Sequence, residues 1–281
     1  MLLFVLSEAD PVAQGVAALW GTPPATGTHV GGAAVRELAP GRLVLRRAVR
    51  HIDDSRLSGE LRTAFPDSEP TVVFPSIHWS EGGPLCFTVH PLGNPTARAE
   101  VGGEPQRLTP TDPSVMAAAL RGLQEMAGRF SLPATFEATH HGPWLDRPAL
   151  FVEIGGGPAS ERPDPAQIAA IAQVLRELEP SSGDRVALGV GGGHYAPHFT
   201  ELTLARRWAF GHLLSRHVLA DLSRSVAEAA VAGTPGCEGA IFARAADSAD
   251  AVWSGLVPRL RDATAPRRVP PTRGPSPSAG T

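Results

Sequence analysis

The chain contains no lysine: all 25 of its basic residues are arginine. That removes a Schiff-base lysine and the lysine of a P-loop. Cysteine is scarce as well. Cys86 and Cys237 stand far apart and in no CxxC pattern, which excludes a disulfide framework and a thiolate metal cage. They read as two small buried hydrophobes, and any metal would rest on histidine and carboxylate. No run of about 18 apolar residues occurs, so no transmembrane helix is expected. The opening MLLFVLSEAD lacks a basic n-region and its apolar stretch is too short for export; it reads as a first buried strand of a cytoplasmic protein. Positive charge is not in excess. A net charge of −3 argues against a protein that holds nucleic acid mainly through a basic surface, so an RNA ligand would be gripped by arginines or backbone amides. HExxH, GxSxG and a GxGxxG running into a helix are all missing, and Ser76 and Ser80 have ordinary loop settings.

What is present has a regular rhythm. Apolar, β-rich runs recur at 2–6, 43–45, 71–74, 85–89, 134–138, 149–154, 186–190 and 208–214. Several are continuous rather than alternating, as expected of strands covered on both faces. Helical patterns lie between them. Asp112-Pro113 offers an N-cap and a first-turn proline, and Met116, Leu120, Leu123, Ala127 and Phe130 follow at helical spacing. Asp164-Pro165 repeats the device ahead of Ile168, Ile171, Leu175 and Leu178. Further helices are expected over 12–19, 219–232 and 250–261. This alternation indicates an α/β protein with a mixed, largely parallel sheet and helices on both faces. The Gly/Thr/Pro-rich stretch 21–40 reads as a loop, and 93–113 as a second long connection. With 42% hydrophobic residues and no clean linker, 1–264 is expected to form one catalytic α/β domain. The Pro/Ser/Arg-rich 265–281 is expected to be a disordered tail.

The histidines carry the functional signal. His78 follows TVVFPSI, His90 closes LCFTVH, His140 and His141 follow FEAT, His194 follows VALGVGGG, and His212 lies in FGHLL. Loops after the carboxyl ends of parallel strands gather on one edge, where ligands bind, so these imidazoles are expected to converge. A lone histidine at a strand end equally suits a hydrogen-bonded structural role. Neighbours on an extended segment point to opposite sides, which would send one of His140 and His141 into the pocket and the other behind it. His29, His51 and His217 read as surface or structural residues, and His198 has no assignable role. Two glutamates accompany the cluster, Glu137 and Glu153. Glu153 sits in the apolar run ALFVEIG, where an unpaired carboxylate is costly; it calls for a cation, a metal or the second nitrogen of a histidine. The glycines at 189 and 191–193 and at 155–157 follow strands. They either present amides to an anion or simply turn the chain.

Taken together, FPSIHWSEGGPLCFTVHPLGN, EATHHGP, FVEIG, GVGGGHYAP and FGHLL resemble, in order and character, the archaeal and plant D-aminoacyl-tRNA deacylases over about residues 74–214. Weaker similarity reaches Asp10 and the segment around Trp253. The resemblance implies a phosphorylase/hydrolase-like fold and a Zn2+-dependent enzyme. Its reaction would be cleavage of the ester joining a D-amino acid to tRNA, in translation quality control. Carried over residue by residue, it implies His78, His90, Glu137, His140, His141, Glu153, His194, Tyr195 and His212. Catalysis is then expected from Glu137, Glu153, His140, His141 and His194, with His140, His141 and His194 as metal ligands. Substrate binding is expected from His78, His90, Tyr195, His212, Gly191, Gly192 and Gly193. The chain departs from the family pattern at Gln14, where an asparagine is usual, at Gly156, where a serine is usual, and in its sparse basic residues.

Ester hydrolysis needs an activated water, stabilisation of the oxyanion and a proton for the departing ribose oxygen. Zinc on neutral imidazoles answers the first two needs. Glu137 or Glu153 would take the water proton, and glycine amides would orient the 3′-terminal adenosine. The sequence does not distinguish which histidines ligate or how many ions bind. Two other readings stay open. One is another hydrolase or phosphorylase on this fold, acting on a nucleoside or on peptidyl-tRNA; the other is a non-catalytic nucleotide- or RNA-binding protein. The number of titratable groups favours an enzyme. No membrane partner is expected, and the chain is expected to act as a monomer or homodimer.

Overall fold

The computed structural model describes residues 1–79, 83–156, 163–244 and 251–260. β1 (Leu2–Ser7) is buried along its whole length. Its alternate residues serve two cores: Leu2, Phe4 and Leu6 face one hydrophobic cluster, Leu3 and Val5 the other. This is the period-2 geometry of a strand covered on both sides. α1 (Pro11–Trp20), β2 (Ala25–Val30), β3 (Ala33–Ala39), β4 (Arg42–Arg47), α2 (Leu57–Ala64), β5 (Thr71–His78) and β6 (Cys86–Pro91) follow. Then come β7 (Gly93–Asn94), β8 (Arg107–Leu108), α3 (Pro113–Ala127), β9 (Ala134–Phe136), β10 (Ala149–Gly155) and α4 (Pro165–Glu177). The chain continues through β11 (Arg185–Val190), α5 (Pro197–Arg206), β12 (Trp208–Leu214), α6 (Arg224–Ala232) and β13 (Ala240–Phe242).

Eight strands form one sheet in the order β2-β3-β4-β1-β5-β10-β6-β9, and β12-β11-β13 form a second. In the large sheet β4, β1, β5 and β10 run parallel, β6 turns antiparallel to β10, and β9 runs parallel to β6. The small sheet is wholly parallel. α1, α3 and α4 cover one face of the large sheet, and Leu57 and Leu61 of α2 cover the other. The fold is therefore the mixed α/β arrangement the sequence rhythm indicates. No helix among the described residues is long and apolar enough to cross a membrane.

Several elements differ from the sequence-based expectations. Most of 21–40 is an antiparallel hairpin, not a loop. Gly31 and Gly32, with φ of 56° and 84°, supply the two left-handed residues of a tight hairpin turn, and the exposed Thr-rich edge of β2 hid its strand character. The helix expected over 219–232 is divided, because the Ser223 hydroxyl accepts from the Val226 amide and starts α6 afresh. Over 251–260 only the turn Ala251–Trp253 is helical; Gly255 takes φ 72° and Arg259 bridges to Ala240. The outer residues of that expected helix, Gly157, and the tail 265–281 lie outside the described residues. α2, α5 and β13 carry no strong sequence signal. α2 has a glycine at its centre, and α5 lacks a side-chain cap.

One latch fixes the strand that leads into the site. Asp10 Oδ1 caps α1 by accepting from the amides of Val12 (2.8 Å) and Ala13 (2.9 Å). Its other oxygen, Oδ2, accepts from the Ser76 hydroxyl (2.9 Å) and the Ile77 amide (3.0 Å) near the end of β5. Three of the four partners are backbone amides, which can only donate, so both carboxylate oxygens serve as acceptors. Asp10→Asn should therefore turn an amide N–H toward a donor. It is expected to cost about 2 kcal/mol or more in urea unfolding, whereas exposed acidic residues such as Glu8 should tolerate the same change.

Candidate active site

β5, β6 and β10 lie side by side, and their register brings chemistry to one face. Glu153 pairs across from Ser76 and Thr88, and Phe151 from Phe74 and His90. Phe74, Ser76 and His78 share a face by alternation, as do Phe151 and Glu153. Phe74 and Phe151 stack at 4.9 Å and His90 stacks on Phe151 at 5.0 Å, so an aromatic floor underlies the polar residues. The remaining groups arrive from the chain after β9 and β11. The Ala138 amide donates to the His194 carbonyl (2.8 Å), the Ala196 amide to Phe136 (2.9 Å) and the Thr139 amide to Leu213 (2.7 Å). The site thus sits on the seam between the two sheets.

Eight side chains form a continuous array. His78 Nδ1 lies 3.3 Å from Glu137 Oε1 and 3.4 Å from Glu153 Oε2. His90 Nε2 stands 3.6 Å from Glu153, beyond hydrogen-bond distance. Glu137 Oε2 faces His194 Nε2 at 3.1 Å and His140 Nε2 at 3.6 Å. The ring of His140 lies 4.1 Å from that of His90 and 4.3 Å from that of His141. His78 Nε2 meets the Tyr195 hydroxyl at 3.1 Å. Three rings are oriented by their backbone: Nδ1 of His90, His140 and His141 donates to the carbonyls of Pro91, Ala138 and Gly142. That sets the tautomer and leaves Nε2 of each with its lone pair available.

His140 and His141 do not point apart as neighbours on an extended strand would. His141 adopts φ 39°, a left-handed conformation that costs on the order of 1–3 kcal/mol in a non-glycine residue. It breaks the alternation and turns both rings to the same side. The expected common strand edge is corrected too. β6 and β9 run against β5 and β10, so the site occupies the sheet face where opposed strand ends overlap.

The electrostatics fit a cation. Burial pushes the Glu153 carboxyl up, but the imidazoles of His78 and His90 override it and hold it well below the usual carboxylate range. Glu137 is also lowered: burial is the largest single influence and pushes it up, but His194, His90 and His78 together outweigh it. Burial pushes His78 down, yet the two carboxylates raise it on balance. His140 lies well below its ordinary value and His141 falls to about 4, through burial and then the neighbouring imidazoles. Two buried carboxylates thus face one imidazole that readily carries charge. Among the described residues, both oxygens of Glu137 and Nε2 of His90 are buried without a well-directed hydrogen bond, although His194 and His78 stand at ion-pair distance from Glu137; buried charge that is only partly matched is costly. Donor atoms within 4.8 Å of one another occur in three groups: His90, His140 and His141; Glu137, His140 and His194; and His78, Glu137 and Glu153. A metal ion held by nitrogen and oxygen donors fits these orphaned atoms. The trio His140, His141 and His194 does not occur as one such group; His140 is shared between two.

The model for the D-aminoacyl-tRNA deacylase family matches residues 66–252. The chain belongs to that family. It is 37% identical over 174 residues to the D-aminoacyl-tRNA deacylase of Thermoplasma acidophilum, covering 62% of this chain and 67% of that one. It is 31% identical over 256 residues to that of Hyperthermus butylicus, covering 83% and 88%. Some members are longer, and the match spans only 36%, 39% and 35% of three of them. A crystal structure described as a conserved protein of unknown function superposes with a TM-score of 0.78 at 29% identity, over 91% of this chain and 90% of that one.

Among the residues that the deacylase resemblance picks out, His78, His90, Glu137, His140, His141, Glu153, His194 and Tyr195 come together. Others do not. Gly191 donates its amide to the Leu214 carbonyl (2.7 Å) and so joins β11 to β12 instead of facing an anion, while Gly192 and Gly193 are half-buried. The Gly155–Gly156 turn is a packing device: a Cβ on Gly155 would lie 2.1 Å from the His78 carbonyl oxygen. Sequence reasoning gave Asp10 no role, although its latch places His78. His51 is structural: its Nε2 lies 3.1 Å from the Ser7 amide and 3.0 Å from the Val5 carbonyl, accepting from the first or donating to the second according to its tautomer. His212 is fully buried behind the seam, its Nδ1 facing the Thr139 hydroxyl at 3.1 Å; it braces the THHGP segment and has no surface for substrate.

Burial pushes His212 down to about 3. In the unfolded chain it titrates near 6.5, so between those values the unfolded state binds the extra proton. This contribution to stability is complete above pH 6.5 and is lost as pH falls toward 3, at up to about 1.4 kcal/mol per unit. Stability curves of His212→Asn should be shallower by about one proton between pH 6 and 4. An unchanged slope would show that His212 takes up its proton without unfolding.

Proposed function

We propose that this chain hydrolyses the ester joining a D-amino acid to the 3′ end of tRNA, in the cytoplasm, with Zn2+ as cofactor. The observation that carries the reading is the buried array in which orphaned carboxylate and imidazole atoms converge within a member of the deacylase family. His140, with either His90 and His141 or Glu137 and His194, would hold the ion. Zinc, when bound, supplies Lewis acidity toward the ester carbonyl and lowers the pKa of water. Glu153, kept ionised between His78 and His90, accepts the proton of the attacking water. His78 is the imidazole whose charged form is favoured, and with the Tyr195 hydroxyl on its Nε2 it donates toward the departing ribose oxygen. The floor of Phe151 and Phe74 excludes water from below and fixes the imidazoles.

tRNA would be held by arginine and backbone amides, so affinity should fall as salt rises. Turnover of D-Tyr-tRNA should exceed that of L-Tyr-tRNA by about 10²-fold, the scale of a carbonyl misplaced by roughly 1 Å. Glu153→Gln and His140→Ala should each lower kcat on the order of 10²–10⁴-fold in a folded protein. Chelation should abolish activity, and added zinc should restore it together with the bound metal counted by elemental analysis. Equal rates on both enantiomers would remove the chiral reading. Cleavage of a nucleoside by phosphate in the same assay would replace it with phosphorylase chemistry.

A further inference from the structure

Beside the array lies a cavity of about 480 Å³ between β9, the start of β6 and α5. Its walls are largely carbon, from Pro84, Pro133, Ala134, Leu204 and Ala205, and the side chains that face it are mostly small. It adjoins the site at Tyr195, which lines the cavity and meets His78 Nε2 at 3.1 Å. Cys86 lines it from the other side, and the Glu137 and Glu153 charges help burial to push its thiol up to about 12. The charged lining residue is Glu201, exposed on α5, and no arginine faces the cavity among the described residues. Such a lining suits neither a phosphate nor the backbone of RNA. It suits an apolar group accompanied by a positive charge.

We infer that this cavity receives the side chain of the aminoacyl group, with Glu201 facing its α-ammonium. The inference rests on the proposed deacylase reading and adds to it a three-point basis for handedness. The ester carbonyl is fixed at the histidine–carboxylate array, the side chain enters the carbon-lined cavity, and the ammonium faces the Glu201 carboxylate. Exchanging the configuration at Cα while the carbonyl stays in place swaps the last two groups. The ammonium of the opposite enantiomer then turns to the carbon wall of Pro84, Pro133 and Ala134, away from Glu201, and its side chain meets a carboxylate. The cavity volume favours aromatic and large aliphatic residues, while D-alanine leaves most of it unfilled.

The test is a substrate panel on the full chain. Ala205 is exposed on α5, so Ala205→Trp can be built without disturbing the core, and its indole would fill the cavity. kcat/KM for D-Tyr-tRNA should fall at least about tenfold, the scale on which apolar pockets discriminate. An unchanged urea-unfolding midpoint shows that the variant is folded, and the ratio of D-Tyr-tRNA to D-Ala-tRNA turnover should fall by at least about tenfold. Glu201→Gln should narrow the ratio of D-Tyr-tRNA to L-Tyr-tRNA turnover, with D-Ala-tRNA and D-Tyr-tRNA affected alike. Unchanged D-Tyr-tRNA turnover in Ala205→Trp, or a parallel loss on both substrates, would overturn the assignment, as would an unchanged enantiomer ratio in Glu201→Gln. Wild-type protein inactive on every D-aminoacyl-tRNA would instead defeat the underlying reading, and does so before either variant is compared.

Discussion

Everything in this molecule leads to the burial of Glu137. Its carboxylate is wholly removed from solvent, sits where the two sheets meet, and has His78, His140 and His194 around it. An ionised group in that position is tolerated only when charge is returned to it. The surrounding imidazoles do so in part, and the unpaired oxygens mark what is left over. The aromatic floor, the capped helix and the inter-sheet hydrogen bonds are the means by which five separated segments hold those imidazoles at contact distance.

The same constraint explains the division of labour among the histidines. Rings whose Nδ1 is tied to a backbone carbonyl, namely His90, His140 and His141, are oriented as electron-pair donors, and burial with mutual repulsion keeps His140 and His141 neutral. His78 has no such tie; it lies between carboxylates and takes a proton more readily. The geometry thus sorts chemically identical side chains into two kinds through their local hydrogen bonds, without any difference in residue type.

Much of this was legible in the sequence. Continuous apolar runs gave most of the strands of the large sheet, because burial on both faces leaves no room for polar alternation. Asp112-Pro113 and Asp164-Pro165 marked helix starts, as capping chemistry is local. The convergence of His78, His90, Glu137, His140, Glu153 and His194 also followed from strand ends and from the cost of a carboxylate in ALFVEIG. What stayed hidden was non-local. The antiparallel turn of β6, the left-handed backbone of His141 and the link from Asp10 to Ser76 all depend on partners dozens of residues away. His212 shows the converse: its sequence setting matched that of the site histidines, and only the packing behind Thr139 distinguishes it. The hairpin over 25–39 was missed for a simpler reason, since an exposed edge rich in threonine and glycine resembles a loop in composition.

The seam has a further consequence. The backbone atoms of Ala138, Thr139, His194 and Ala196 that shape the site are the same atoms that fasten the small sheet to the large one. Cohesion between the two sheets and the fine placement of the reactive groups are therefore one property. Any ligand that grips the array also stabilises the joint, by mass action on the folded form. A change that loosens the joint, however far from the histidines, degrades their alignment as well. In such an architecture rigidity and activity cannot be traded at separate addresses, because the joint and the site share the same atoms.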